Sequence, residues 1–125
     1  MIKTIETLSG KAVELNPADV GAMERLEEAV KVSSKSFRKL SKTIAKMTND
    51  NVDIDTLKTM CSVVKTFVDT VFGEGAADRL FGGNNDVEEL VALYSDVLKV
   101  FDEEGDRLTG VLAKLWAEGD DATAR

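Results

Sequence analysis

The amino-acid sequence predicts a small all-α domain of three main helices plus a short helix. Two observations lead to this prediction. Apolar residues recur at alternating spacings of three and four over most of the chain, which is the period of an amphipathic helix. The composition also favours helix, with one proline and 6% aromatics in 125 residues. We expect a single domain over residues 1–125, because a chain of this length can bury a core of its own.

The first sixteen residues are the exception to the helical pattern. The segment "TIETLSGKAVEL" (4–15) is compatible with a β-hairpin. A three-residue loop over residues 9–11, with Gly10 in a left-handed conformation, would place Ile5 opposite Leu15. One face of the hairpin would then be mostly apolar. Because a two-stranded hairpin is marginal in water, we expect it to dock on the helices or on a neighbouring chain.

The first main helix is predicted to begin at Asn16, a good N-cap that precedes Pro17 at the first helical position. We expect this helix to extend to about Thr48, and the polar cluster "VSSKS" (32–36) could bend or split it. Its predicted core seam has the spacing of a coiled coil. The seam comprises Met23, Leu26, Val30, Ser33, Phe37, Leu40, Ile44 and Met47.

The second main helix follows a turn at "NDNVDID" (49–55) and has a wide apolar face, so it is predicted to be the most buried element. Cys61 lies on that face and is predicted to be a core thiol rather than a nucleophile. It is the only cysteine, so no internal disulfide is expected. The seam comprises Ile54, Leu57, Cys61, Val64, Val68 and Val71, widened by Met60, Val63, Phe67 and Phe72.

The glycine-rich stretch "TVFGEGAADRLFGGNND" (70–86) raises the question of a phosphate-binding loop. A dinucleotide fingerprint needs a preceding strand, whereas the residues before this stretch continue a helical pattern. No Gly-Lys-Ser/Thr sequence follows, which excludes a P-loop. We therefore predict a double corner between helices. Gly73 or Gly75 ends the second helix, and "AADRLF" (76–81) forms a short helix with its last two residues packed inward.

The last long helix is predicted to begin after a cap at Asn85 or Asp86. Gly105 and Gly110 weaken the helical pattern and could mark a break. The polar segment 117–125 is expected to fray. The predicted seam comprises Val87, Leu90, Tyr94, Val97, Phe101, Leu108 and Leu115, with Glu104 and Val111 at intervening positions.

The composition argues against several classes of function. The chain has no histidine, which removes the commonest general base and metal ligand and rules out Ser-His and Cys-His dyads. The alternating acids of "DNVDIDTLKTM" lack the mid-loop glycine and final glutamate of a calcium loop. We therefore expect no catalytic, metal-binding or cofactor-binding residues and no enzymatic activity.

The net charge of −7 disfavours nucleic acid as a partner, because neutralisation of phosphates dominates that affinity. The sequence has no apolar run of the ~20 residues that span a bilayer, and the N-terminus lacks the apolar region of a secretory signal. We therefore expect a cytoplasmic protein with no membrane contact.

One charge pattern is a candidate partner-binding surface. Between Lys31 and Thr48 the chain has six basic residues and no acidic ones, all predicted to lie opposite the apolar seam. From Asp86 to Arg125 the balance reverses, with eleven acids and four bases. Such charges can guide docking between subunits or onto an acidic partner, although a solvated face without a partner is the alternative. The candidate residues are Lys31, Lys35, Arg38, Lys39, Lys42 and Lys46.

The segment "FGEGAADRLFGGNNDVEEL" (72–90) resembles a region of the tail assembly chaperones of long-tailed (siphovirus-type) bacteriophages and related prophage elements. In that family a helix ends in an Asp-x-x-Phe-Gly-Glu-Gly-like run, here residues 69–75. A short helix with a Phe-Gly-Gly-like end follows, here residues 81–83. The opening "LSGKAVELNPADVGAMERLEEAV" (8–30) is also similar to the start of the family's sequences.

The resemblance implies a small helical protein of the bacterial host cytoplasm that binds the tape measure protein and tail tube subunits during virion morphogenesis. Such proteins are absent from the finished particle, and some also occur as a longer product of ribosomal frameshifting. The resemblance supplies no binding residues. The alternative interpretation is a helical adaptor or regulatory protein that acts through homo-oligomerisation and protein–protein contacts.

Overall fold

A computed structural model describes residues 2–124 of the chain and the side chains of residues 2–114. The described part is mostly helical with a small antiparallel hairpin at its N-terminal end, which confirms the predicted fold class. Its elements are β1 (Lys3–Glu6), β2 (Ala12–Leu15), α1 (Val20–Ala45), α2 (Ile54–Phe72), α3 (Ala76–Phe81) and α4 (Val87–Ala124).

The hairpin pairs in a register two residues away from the predicted one. Ile5 lies opposite Val13 rather than opposite Leu15. Because the difference is two residues and side chains alternate between faces with a period of two, Ile5 and Leu15 still lie on the same face. Both side chains are buried, so the apolar face of the hairpin is as expected although its pairing is not.

The position of Gly10 explains the register. The Thr7 N–H donates to the Lys11 carbonyl at 2.7 Å, and the Gly10 N–H donates to the Thr7 carbonyl at 3.0 Å. These bonds close a loop over residues 8–10, in which Gly10 occupies the third position with φ of 89°. A three-residue hairpin loop consists of a type I turn followed by a left-handed residue, so the glycine belongs at its end and not at its centre.

The first helix begins later than predicted. Asp19 is its N-cap, with a side-chain oxygen that accepts a hydrogen bond from the Ala22 N–H at 2.9 Å. Asn16 is therefore not the cap. Its carbonyl accepts the Asp19 N–H at 3.1 Å and so closes a separate turn before the helix.

Helix α1 is continuous through residues 32–36, so the predicted bend or split is absent, and it ends at Ala45. It packs chiefly on α2. Its buried residues are small: Ala22, Ala29 and Ser33. Every residue of the predicted seam except Ser33 is only partly buried. The small side chains of α1 face the core, and the large side chains of the seam lie beside them.

Helix α2 has more buried side chains than any other described element, as predicted. Asp53 is its N-cap and accepts the Thr56 N–H at 3.2 Å. The spacing of the apolar residues placed Ile54 on the predicted seam, but its side chain is 58% exposed. Ile54 is the first residue of the helix and lies beyond its packed part. The buried residues are Thr56, Cys61, Val64, Phe67, Val68 and Val71.

The double corner forms as predicted, and α3 has the predicted bounds. Gly73 ends α2 with φ of 107°, and Gly75 precedes α3 in the left-handed conformation. The Asp69 carboxylate accepts the Ala77 N–H at 2.8 Å and ties α3 to α2. All apolar residues of α3 are buried, so the corner is part of the core.

Helix α4 begins after Asp86, whose carboxylate accepts the Glu89 N–H at 3.2 Å. The helix is continuous through Gly105 and Gly110, so the predicted break is absent. A helical glycine costs only about 1 kcal/mol relative to alanine, which neighbouring turns can offset. The fraying expected over residues 117–125 stays a prediction, because those side chains lie outside the described residues.

Tyr94 connects the three long helices. Its ring packs edge-to-face on Phe37 of α1 and Phe67 of α2, with centroids 5.4 and 4.6 Å away. Its hydroxyl lies 3.1 Å from the Ser33 hydroxyl. The hairpin packs against α4, where the Ser9 hydroxyl donates to the Glu89 carboxylate. One apolar cluster therefore contains residues from both strands and all four helices.

Candidate partner-binding surfaces

The six predicted basic residues are all exposed on the outer side of α1 and at its C-cap. Within the described part of the chain, none of them is ion-paired, and the one ion pair there joins Glu104 to Arg107. The structure therefore places the predicted residues on one accessible surface, the basic face. The N-terminal half of α1 is acidic on its outer side, with Glu24, Glu27 and Glu28 exposed, so the charge of this helix changes sign along its length.

An apolar groove lies between the N-terminal half of α1 and the middle of α4, and its volume is about 690 Å³. Pro17 also lines it. We call it the α1–α4 groove. Its apolar lining is Met23, Leu26 and Val30 from α1, and Leu98, Phe101, Leu108 and Leu112 from α4.

The groove exists because α1 and α4 each pack on α2 more extensively than on each other. The side of α1 that faces α2 carries Ala22 and Ala29, both buried. Among the described side chains of α4, the buried apolar ones all precede Leu98. From Leu98 to Leu112 the apolar residues of α4 are only partly buried or exposed. This apolar stripe continues to Leu112, which is 54% exposed.

Sequence analysis found part of this groove but assigned it to the core. Met23, Leu26, Val30, Phe101 and Leu108 were predicted to lie on buried seams, and each is only partly buried. Leu98 and Leu112 were missed. A second three-four pattern runs through Leu98, Phe101, Gly105, Leu108 and Leu112, and it could have indicated them.

The mouth of the groove is acidic. Glu27 of α1 and Asp102 of α4 line opposite walls, and both are exposed. Among the described residues that line the groove, none is a lysine or an arginine. The groove thus combines an apolar floor with negative charge on both sides.

Cys61 is buried beneath the start of α4, as predicted, with its sulfur 3.6 Å from the Asn85 carbonyl oxygen. Burial raises the pKa of the Cys61 thiol, which opposes formation of a reactive thiolate. Within the described residues, no three cysteine, aspartate or glutamate side chains are placed to hold a metal ion.

None of the described helices has a stretch both long enough and apolar enough to cross a membrane.

Comparison with known proteins gives one match. The model of a family described as a family of unknown function, DUF6673, matches residues 9–122 and so covers both walls of the groove. No curated protein and no solved structure matches the chain.

Proposed function

The chain belongs to the family of unknown function DUF6673, and on that premise we propose that it is a non-enzymatic tail assembly chaperone of a long-tailed bacteriophage or prophage. In this role it binds the tape measure protein and tail tube subunits in the host cytoplasm during tail morphogenesis. The resemblance of residues 72–90 to that family of chaperones supports the proposal.

The observation that carries the proposal is the α1–α4 groove. An exposed apolar groove between two helices suits an amphipathic helix, which lays its apolar face between the walls. Contiguous exposed apolar surface of this kind is typical of protein-binding sites. A tape measure protein is a long helical chain, and a chaperone that shields it needs such a surface before the tail closes around it.

The basic face is a second candidate surface in this proposal. Its residues lie on the outer side of α1, whereas the groove faces α4, so the two surfaces can act separately. We assign the basic face to an acidic partner surface. Replacement of Lys35, Lys39 and Lys42 by glutamate is expected to preserve folding, because all three are exposed, and to weaken that contact. If this variant binds both proposed partners as the natural chain does, the basic face is a solvated surface without a partner.

The proposed function is tested by co-expression with the tape measure protein encoded in the same gene cluster, followed by affinity capture and light scattering. We expect a soluble complex, with the tape measure protein insoluble when expressed alone. Leu112→Asp is the matched groove variant, since its side chain is largely exposed and its replacement should reduce capture without unfolding the protein. Absence of any complex with the tape measure protein and with tube subunits would overturn the proposal.

The second candidate function is a helical adaptor that acts by homo-oligomerisation. The change of sign along α1 favours it, because the acidic half of one copy can attract the basic half of another. Light scattering of the chain alone separates the two functions. A salt-sensitive oligomer that captures no tail protein would favour the adaptor.

A further inference from the structure

The α1–α4 groove carries a charge pattern that specifies what it binds. We propose that the groove takes an amphipathic helix whose apolar stripe is flanked on both sides by lysine or arginine residues. This inference deepens the proposed function and rests on it, because it names the chemistry of the segment that the chaperone shields.

The length of the groove sets the length of the bound helix. Its α4 wall runs from Leu98 to Leu112, about 21 Å at 1.5 Å per residue. A bound helix of about four turns would cover this wall. Such a helix presents apolar residues at spacings of three and four, which is the pattern that a two-walled apolar groove accepts.

Acidic residues stand on both sides of the apolar floor. Glu27 lies on the α1 wall and Asp102 on the α4 wall. Both side chains are exposed, and among the described residues neither of them forms an ion pair. We call these two residues the acidic rim.

The two arginines near the acidic rim in sequence are engaged elsewhere. The Arg25 guanidinium donates to the Val71 carbonyl at 3.2 Å, which directs it towards the end of α2. Arg107 is ion-paired with Glu104. Lys31 and Lys99, each within four residues of the rim, are exposed and do not line the groove, so no ion pair among the described residues neutralises the rim. A helix with basic flanks would be attracted and held in register, and one with acidic flanks would be repelled.

The basic segment of a second copy of this chain is a poor occupant of the groove. This helical segment, residues 31–46, already uses its apolar side against the core, where Phe37 packs on Tyr94. The one large apolar residue of that segment that stands well exposed is Val32, at 47%, and it lines a cleft between α1 and α2 rather than the outer side. That side offers charge without an apolar stripe, so a separate partner helix fits the groove better.

The test uses the full chain and three synthetic peptides of about 18 residues, long enough to form helix. All three carry the same leucine stripe at alternating spacings of three and four, and the flanking positions are lysine, glutamine or glutamate. Binding is measured by titration calorimetry, and the contact surface by amide shifts in NMR. We expect affinity to fall in the order lysine, glutamine, glutamate, with shifts at Leu98, Phe101 and Leu108.

The double variant Glu27→Gln/Asp102→Asn removes one rim charge from each wall. We expect it to bind the lysine peptide about fivefold more weakly, the effect of two exposed ion pairs, and to bind the glutamine peptide unchanged. Glu28→Gln/Glu103→Gln is the matched control, since it removes two exposed charges from the same helices away from the groove. We expect this control to bind the lysine peptide with the affinity of the natural chain at ~50 mM salt, apart from a small loss of long-range electrostatic attraction.

Three outcomes would overturn the inference: equal affinity for the lysine and glutamate peptides, equal weakening by the rim and control variants, or shifts confined to the basic face. The inference would also be overturned if the chain self-associates and the Leu112→Asp substitution abolishes that self-association. The occupant of the groove would then be a second copy of this chain. Because the peptides contain no tail-protein sequence, these results are separate from those of the co-expression experiment. Capture of the tape measure protein with no charge preference would preserve the proposed function and refute only this inference.

Discussion

Ser33 shows how a single polar residue fits on a helix seam. It is 2% exposed, yet its hydroxyl lies 3.1 Å from the Tyr94 hydroxyl and donates to the Val30 carbonyl at 3.3 Å. A buried hydroxyl without such partners would be destabilising. Its small volume also fits the buried face of α1, where Ala22 and Ala29 are the other fully buried residues. The polar interruption of the predicted seam is therefore a packing and hydrogen-bonding position and not a bend.

The Ser33–Tyr94 hydrogen bond can be measured by a double-mutant cycle. We expect Ser33→Ala and Tyr94→Phe each to lower the free energy of unfolding by about 1 kcal/mol, the typical contribution of one hydrogen bond. The double variant should lose less than the sum, because each single variant already breaks the same bond. Urea denaturation of the four proteins gives the coupling energy, and strictly additive losses would contradict the assignment.

Glu104 is the second informative residue, because its side chain is buried beside Arg107 on α4. The hydrogen bond from Arg107 is the main cause that holds the pKa of Glu104 below its ordinary value. A carboxylate with a lowered folded-state pKa stabilises the fold above its unfolded pKa of about 4.3. That contribution is lost as the pH falls through the folded-state pKa.

We expect the melting temperature to fall below pH of about 4.3, partly through protonation of Glu104. Glu104→Gln should lower the melting temperature at pH 7 and flatten its dependence over this acid range. Glu103→Gln, an exposed neighbour on the same helix, is the control and should retain the dependence of the natural chain. Thermal unfolding followed by circular dichroism from pH 7 to pH 3 checks this. If the melting temperatures of the Glu104 variant and the natural chain fall in parallel with pH, Glu104 does not cause the acid destabilisation.

At the scale of the elements, glycines have opposite roles at the end of α2 and within α4. Gly73 ends α2 with φ of 107°, a conformation that residues with a side chain rarely adopt. Gly110 lies inside α4, where an added Cβ would meet no atom within 4 Å. The first glycine is required by the backbone, whereas the second weakens a helix that forms in spite of it.

Two alanine substitutions test this contrast. Gly73→Ala is expected to lower the free energy of unfolding by about 1–2 kcal/mol through backbone strain. Gly110→Ala is expected to stabilise the surrounding turns of α4 by up to about 1 kcal/mol. Hydrogen exchange of the amides near residue 110 reports the local gain, and chemical denaturation reports the loss at Gly73. Destabilisation by both substitutions would indicate that α4 is not a regular helix there.

At the scale of the whole molecule, α4 takes part in the core through residues 90–97 and in the groove through residues 98–112. Leu90, Leu93 and Val97 are buried among α2 and the other core residues. Leu98 and Phe101 lie at the boundary, and Leu108 and Leu112 line the groove beyond it. One continuous helix thus contributes to folding stability and then to the proposed binding surface.

A pair of leucine truncations separates these two roles. Leu93→Ala is expected to lower the free energy of unfolding by about 2–5 kcal/mol, the range for a buried leucine. Leu112→Ala should change it by less than about 0.5 kcal/mol, since its side chain is mostly exposed, while it weakens binding of the lysine-flanked peptide. Urea denaturation and calorimetry measure both properties. A loss of stability at Leu112 comparable to that at Leu93 would mean that the groove is part of the core.

Much of the fold could be predicted from the sequence because local signals determine it. Glycines on either side of "AADRLF" gave the bounds of α3, and the wide apolar face of α2 indicated its burial. Two errors were also local. The turn closed by Asn16 competed with helix initiation, and Gly10 was assigned the wrong place in its loop. The exposure of the six basic residues agrees with the predicted helix face, and their role in binding stays a prediction.

The sequence by itself determined the helical class, the corners, the central position of α2 and which side of each helix is apolar, because periodicity and capping act over neighbouring residues. Only the tertiary structure decided which apolar residues are covered. Met23 and Ala22 are adjacent on α1, yet Ala22 faces the core and Met23 lines the groove. Periodicity identifies an apolar face but not the element that packs on it, so the α1–α4 groove and its acidic rim depend on how three helices meet in space.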